Sequence, residues 1–213
     1  MNIKGVIFDF DGTLADTLPL CIRAFRHSIE PRLGRPVSNE EIIATFGPSE
    51  EGTIKALIPD YYDEGVAEYL AHYERFHSDY PDLFPGIQPL LDELQTKEVK
   101  LALVTGKGQR SAAMSLQFYN LTPYFSAFGY GDLSMNSKTG NINRIVADWQ
   151  LTPEEVLYVG DAPSDIVACR KAGVPIASAA WATTADGLEL QKLQPDYLFK
   201  SVDAFREWLF AHV

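Results

Sequence analysis

The sequence predicts an α/β protein, a doubly wound parallel sheet with an α-helical module inserted after its first strand. Three observations predict it. Beyond residue 84, short apolar runs alternate with amphipathic stretches at helical spacing, which implies a sheet covered on both faces. The apolar runs are continuous rather than alternating, as fits strands buried on two sides. Between residues 16 and 83 there is amphipathic helical patterning and no convincing strand.

Gly5-Val6-Ile7-Phe8 is the first run. It is short and partly β-branched, and it is followed at once by Asp9-Phe10-Asp11-Gly12-Thr13-Leu14. Thr17-Leu18-Pro19 reads as a helix start with Pro in the first turn. Leu20, Ala24, Phe25 and Ile29 continue it, and Gly34 and Pro36 end it. Ser38 and Glu41 have capping-box spacing for a second helix with Ile42, Ile43 and Phe46 on its apolar face. Gly47-Pro48-Ser49 is a turn, and 61–77 is a further amphipathic helix.

After Phe84-Pro85-Gly86 come a helix over 89–97, a strand over 100–104 and a helix over 110–119. A short strand at 127–130 and a helix over 141–149 follow. Then come a strand at 156–159, a helix at 165–172, a short strand at 175–178, and a last strand and helix within 197–210. The division expected is a Rossmann-like core at 1–15 and 84–213 and a helical cap at 16–83. Both connections of the cap lie beside Asp9 and Asp11, so it is placed to close over that end of the sheet.

The chain of 213 residues is 46% hydrophobic and 22% charged, which suits one or two soluble globular domains. A net charge of −11 argues against non-specific binding to nucleic acid or anionic membranes. It leaves room for a small phosphate ligand, which responds to the local field of its site. Cys21 and Cys169, the two cysteines, have no paired spacing, so neither a thiolate metal site nor a disulfide framework is expected. The N-terminal stretch has the character of neither a secretory signal nor a membrane span, and a reducing cytoplasm is the expected location.

Four short segments carry chemistry. Asp9 and Asp11 lie two apart at a strand end, where side chains two apart share a side and open α/β sheets bind ligands. Two neighbouring ionised carboxylates need a cation. Leu103-Val104-Thr105-Gly106-Lys107 ends another strand in a hydroxyl, free backbone amides and a cation. Lys138 stands in a polar loop, Asn136-Ser137-Lys138-Thr139-Gly140. Val159-Gly160-Asp161 ends a third strand, with Asp165 four residues on at a helix start. Taken singly, the Thr-Gly segment also reads as a turn, Lys138 as a solvated lysine, and Asp165 as compensation of a helix dipole.

In order and type the four segments resemble the motifs of the haloacid dehalogenase-like hydrolases, and the likeness runs over essentially the whole chain. One departure is Thr139, where many relatives have Pro after the Lys. The resemblance implies Asp9 as nucleophile, forming an aspartyl-phosphate, and Asp11 as general acid/base. It implies Mg²⁺ held by Asp9, the Asp11 carbonyl and Asp161, with Asp165 as a ligand or an anchor. Thr105 and the Gly106 amide would hold phosphate oxygens beside Gly12 and Lys107, and Lys138 would steady Asp9 and the phosphoryl charge.

Within that family, Asp11 favours phosphoryl transfer over dehalogenation. Cys21 stands where the sugar-phosphate mutases carry a His, and no Lys closely follows Gly47 as in the phosphonate hydrolases. The remaining likeness is to the phosphoglycolate phosphatase-like group, which includes bacterial pyrophosphatases of the same build. The implied substrate is a small phosphorylated metabolite or pyrophosphate. A mutase or a non-catalytic phosphate-binding regulator are the alternatives. Ser49 and Glu50 of the cap turn are the candidate leaving-group contacts, with Arg23, Arg26 and Arg110 as candidate partners for a second anionic group.

Overall fold

The computed structural model describes residues 2–133 and 137–213. Six strands form one parallel sheet: β1 Gly5–Phe8, β2 Lys100–Val104, β3 Ala127–Gly129, β4 Val156–Gly160, β5 Ile176–Ala179 and β6 Tyr197–Phe199. Their order is β3-β2-β1-β4-β5-β6, so the winding reverses beside β1. A crevice opens at that point, beyond the carboxyl ends of the strands.

Apolar side chains alternate to two separate cores. Val6, Phe8, Leu101, Leu103, Leu157 and Val159 pack with helices α5 (Ile87–Thr96) and α10 (Val202–Phe210). Ile7, Ala102, Val104 and Tyr158 face the other way, onto α7 (Ser137–Trp149) and α8 (Pro163–Ala172). Every residue of β1 and β4 is buried. Apart from the Tyr158 hydroxyl these strands carry no polar side-chain group, so most of the chemistry begins where they end.

Helices α1 (Leu18–Leu33), α2 (Asn39–Ile43), α3 (Glu50–Leu57) and α4 (Tyr62–Phe76) enclose a third core around Phe25, Ile29, Tyr69 and Tyr73. Phe25 and Tyr69 meet with ring centroids 4.4 Å apart. The outgoing and returning segments lie side by side, with Ala15 bridged to Leu83 and the Phe84 N–H donating to Leu14 O at 2.9 Å. The Ser38–Glu41 capping box forms, and Gly34 closes α1 in the left-handed conformation. No helix among the described residues is long and apolar enough to cross a membrane.

Two short helices, α3 and α9 (Gly187–Lys192), have no counterpart in the sequence pattern. Each is under nine residues, too short for a 3.6-residue repeat to stand out. Helix α6 spans Gln109–Phe118, close to expectation. Helix α7 starts at Ser137, four residues before the spacing predicts, so Lys138 sits in a helix's first turn and not in a loop. Gly140 inside that turn obscured the start, because glycine weakens a helical pattern. Asn136 lies outside the described residues.

Candidate active site

Three strand ends meet in the crevice. The Asp9 N–H continues the ladder to Val159 O at 2.8 Å, and the Thr105 N–H bonds Gly129 O at 3.0 Å. Asp9, Thr105 and Asp161 thus follow β1, β2 and β4, three neighbouring strands. They line a cavity of about 730 Å³ with Asp11, Gly106, Lys107, Lys138 and Glu50.

The centre is a carboxylate trio. Oxygens of Asp9, Asp161 and Asp165 all lie within 4.8 Å of one another. Lys138 Nζ donates to Asp9 Oδ2 at 2.5 Å and also to Asp165 Oδ1. The Phe10 N–H donates to Asp9 Oδ1 at 2.6 Å. Burial raises the Asp9 carboxyl to about 6, with the Lys138 charge pulling the other way. Asp161 is pushed well above the usual carboxylate range by burial and then by the charges of Asp9 and Asp165. Burial opposes the charge on Lys138, but Asp165 and Asp9 outweigh it and raise its pKa.

Asp165 is fully buried and both its oxygens are engaged. Oδ1 meets Lys138 and the Tyr158 hydroxyl at 3.1 Å, and Oδ2 accepts from the Ala162 N–H at 2.9 Å. The Tyr158 hydroxyl lies 2.8 Å from Val104 O as well, which ties the trio to β2. Tyr158 is absent from the sequence reading. Its one signal is a buried strand tyrosine, whose hydroxyl must find a partner.

Asp11 does not join the trio. Strand β1 ends at Phe8, so the two-residue alternation that would put Asp9 and Asp11 on one side stops before it applies. Asp11 Oδ1 accepts from the Thr17 hydroxyl at 2.5 Å, and Lys107 Nζ lies 3.2 and 3.3 Å from its two oxygens. Lys107 is therefore a buried partner of Asp11, not a free cation as its sequence context suggested. It also sits 4.4 Å from the Tyr73 ring centroid. Cys21 Sγ is 3.7 Å from Asp11 Oδ1, and burial, helped by the Asp11 charge, pushes its thiol up to about 12. A neutral thiol cannot serve as the base that a His would be at that place.

Gly12 is required by space as well as by conformation. Its φ is +73°, and a Cβ there would lie 2.1 Å from Asp161 Oδ2. Gly12→Ala is expected to cost about 1–3 kcal/mol, as strained left-handed backbone does, and to displace Asp161. Urea unfolding checks this; an unchanged midpoint would contradict it. Thr13 completes the turn, with its hydroxyl donating to Asp161 Oδ1 at 3.2 Å.

The helices within 16–83 touch the rest of the chain at the same end. The Ser49 N–H bonds Asp132 O at 2.8 Å, and the Gly108 N–H donates to Glu50 Oε2 at 2.7 Å. Tyr73 Oη and His77 Nε2 lie 2.8 and 3.0 Å from Ser115 Oγ. Ser49 faces Glu51, and its hydroxyl donates there at 2.6 Å. The three arginines are not in the cavity. Arg23 pairs with Asp79 at 2.6 Å, Arg26 bonds Val37 O and Asn39, and Arg110 pairs with Glu51 at 3.3 Å. Long side chains with acidic or amide neighbours are consumed locally, which sequence spacing does not reveal.

Residues 6–179 match the family model of the haloacid dehalogenase-like hydrolases. The chain belongs to this family. A curated relative, pyrophosphatase PpaX of Anoxybacillus flavithermus, is 31% identical over 205 residues, covering 95% of this chain and 94% of that protein. A haloacid dehalogenase-like hydrolase from Streptococcus pneumoniae shares the fold at a TM-score of 0.74 and 27% identity, over 92% of this chain and 93% of its own. A Lactobacillus plantarum protein, provisionally assigned as a phosphoglycolate phosphatase, superposes at 0.80 with 20% identity, over 97% and 99% of the two chains. At that identity the likeness is one of fold.

Proposed function

We propose that the chain is a Mg²⁺-dependent phosphatase that hydrolyses a small phosphate monoester or pyrophosphate through an aspartyl-phosphate on Asp9. The observation that supports this best is the carboxylate trio of buried Asp9 and Asp165 with half-buried Asp161, beside Lys138, at the point where the winding reverses. The names of the relatives, pyrophosphatase and phosphoglycolate phosphatase, agree with it. In this reading 1–15 and 84–213 are the catalytic core, 16–83 is a cap that governs access, and the protein works in the cytoplasm.

The donor set fits a hard divalent cation: it is all oxygen, and two of its carboxyls carry pKa values raised by burial and neighbouring charge. Asp9, Asp161 and the Asp11 carbonyl would hold Mg²⁺, with Asp165 anchoring Lys138 since both its oxygens are already engaged. Bound there, Mg²⁺ supplies positive charge to the phosphoryl oxygens.

Asp9 attacks phosphorus, so its carboxylate–phosphorus bond forms as the bond to the leaving oxygen breaks. Asp11 gives its proton to that oxygen. It then takes a proton from water, whose oxygen displaces the Asp9 carboxylate from phosphorus. Lys107 and Thr17 hold Asp11 for both transfers. Thr105 and the Gly106 amide take the non-bridging oxygens, and Lys138 offsets the charge on Asp9.

Phosphate release with Mg²⁺ and with EDTA tests the reading, and release unaffected by EDTA would contradict it. A pH effect should accompany it. In the metal-free protein the Asp9 carboxyl is raised from 3.8 to about 6, so folding retains a proton that the unfolded chain loses. That group's contribution to stability therefore falls as pH rises from about 4 through about 6. Metal binding must release such protons. Mg²⁺ is accordingly expected to raise Tm more at pH 8 than at pH 5, by differential scanning fluorimetry. An equal shift at both would count against these carboxyls as the ligands.

A further inference from the structure

Glu50 is 5% exposed, yet only half of its carboxylate is used. Oε2 accepts from the Gly108 N–H, while Oε1 is buried and finds no partner among the described residues; Glu50 is one of the residues lining the cavity. A buried acceptor left unmade is costly, so its retention calls for a donor that arrives with a ligand. The rest of the cap wall carries no charged side chain: Leu18, Phe25, Ile43 and Phe46 are apolar, and Thr53 and Tyr69 add hydroxyls. Among the described residues, the cap contributes no Lys or Arg to the cavity.

The lysines of the cavity all come from the core. Lys107 is held by Asp11, and Lys138 by Asp9 and Asp165. Lys171 is exposed on α8, in a wall that also carries Asp186 and Glu189. An anionic leaving group would have to enter beside the Glu50 carboxylate, against a largely apolar wall, with no cation from the cap to meet it. Both repulsion and desolvation oppose that.

We propose that the cleft selects phosphate monoesters of an uncharged, hydroxylated alcohol over pyrophosphate and phosphoglycolate, with Glu50 Oε1 accepting from a leaving-group hydroxyl. This rests on the reading of Asp9 and its neighbours as a phosphatase site. It departs from the activity named for the pyrophosphatase relative. The hydroxyl meets the acceptor, and the carbon chain lies on the apolar wall.

The test is kcat/KM, with Mg²⁺, for glycerol 1-phosphate, n-propyl phosphate, phosphoglycolate, pyrophosphate and p-nitrophenyl phosphate. Glycerol 1-phosphate is expected to exceed n-propyl phosphate, phosphoglycolate and pyrophosphate by about tenfold or more, the discrimination a buried acceptor gives between a substrate with a hydroxyl and one without. In Glu50→Gln the amide oxygen keeps the Gly108 N–H and the NH₂ turns to the cleft, replacing an acceptor by a donor. The glycerol preference should fall about tenfold, with phosphoglycolate and pyrophosphate gaining in relative terms. Ile43→Lys, at a position 44% exposed and therefore tolerant of substitution, should favour the same two anions.

Wild-type turnover of pyrophosphate or phosphoglycolate at or above that of glycerol 1-phosphate would overturn the inference. So would unchanged ratios in both variants. Hydrolysis of p-nitrophenyl phosphate without any such preference would sink this inference alone. Absence of phosphate release from all five compounds would sink the phosphatase reading itself.

Discussion

Asp9→Asn is expected to lower kcat by at least about 10⁴-fold, the scale on which loss of a covalent nucleophile acts. The substitution removes a charge and keeps the shape. The Phe10 N–H that donates to Oδ1 at 2.6 Å retains an acceptor in the amide oxygen. Stability should not fall with activity, because the variant has one fewer buried carboxylate beside Asp161 and Asp165. Phosphate release and urea unfolding on the same preparation give both numbers. A variant with more than about a hundredth of wild-type kcat would place the nucleophile elsewhere, since single acid/base groups account for losses of that size.

Lys138→Met should have the largest effect on stability. Among the described residues Lys138 is the cation shared by Asp9 and Asp165, and its side chain is 14% exposed. Deleting one partner of a buried ion pair leaves an uncompensated charge and costs about 3–5 kcal/mol. The loss has a pH signature. Without Lys138 the Asp9 carboxyl, raised by burial to about 6 even with that lysine present, rises further. It then takes a proton at moderately acid pH, which relieves the buried charge. The variant should therefore be closer to wild type in stability at pH 5 than at pH 8. The pH at which activity appears should also move upward. Equal destabilisation at both values would mean that Lys138 acts through packing and not through charge.

The strands that frame the site were legible because β1, β2 and β4 are short apolar runs followed by Asp9, Thr105 and Asp161. Val156–Gly160 followed by Asp161 is the clearest case, where burial on both faces leaves no charged position before the end. The same logic put Asp9, Thr105 and Asp161 together. What it could not give is how charges pair across the site. Lys107 and Asp11 are 96 residues apart in the chain, and Lys138 and Asp9 are 129 apart. Lys107 therefore read as a phosphate ligand when it is a partner of Asp11.

Glu50 shows the converse. The sequence marks Ser49 and Glu50 of the turn as candidate leaving-group contacts, with nothing to show that Glu50 is buried and Glu51 is not. Here Glu50 is buried because the Gly108 N–H, free at the start of α6, needs an acceptor, while Glu51 turns to Ser49 and Arg110. Which of two neighbouring glutamates is buried depends on a loop 58 residues away. Arg23 and Arg26 were misread for a like reason, since Asp79 and Asn39 lie on other elements within 16–83.

The central claim is that Asp9 carries the phosphoryl group between two half-reactions. It is tested by acid-quenching the enzyme during turnover of p-nitrophenyl phosphate with Mg²⁺ and weighing the peptide that contains Asp9. Asp11→Asn, which should slow hydrolysis of the intermediate, serves as a second preparation that accumulates it. The account predicts one added phosphoryl group on that peptide, assigned by fragmentation to Asp9, and none when Asp9 is Asn. Turnover with no phosphorylated peptide in either preparation, or with the phosphoryl group on another residue, would contradict it.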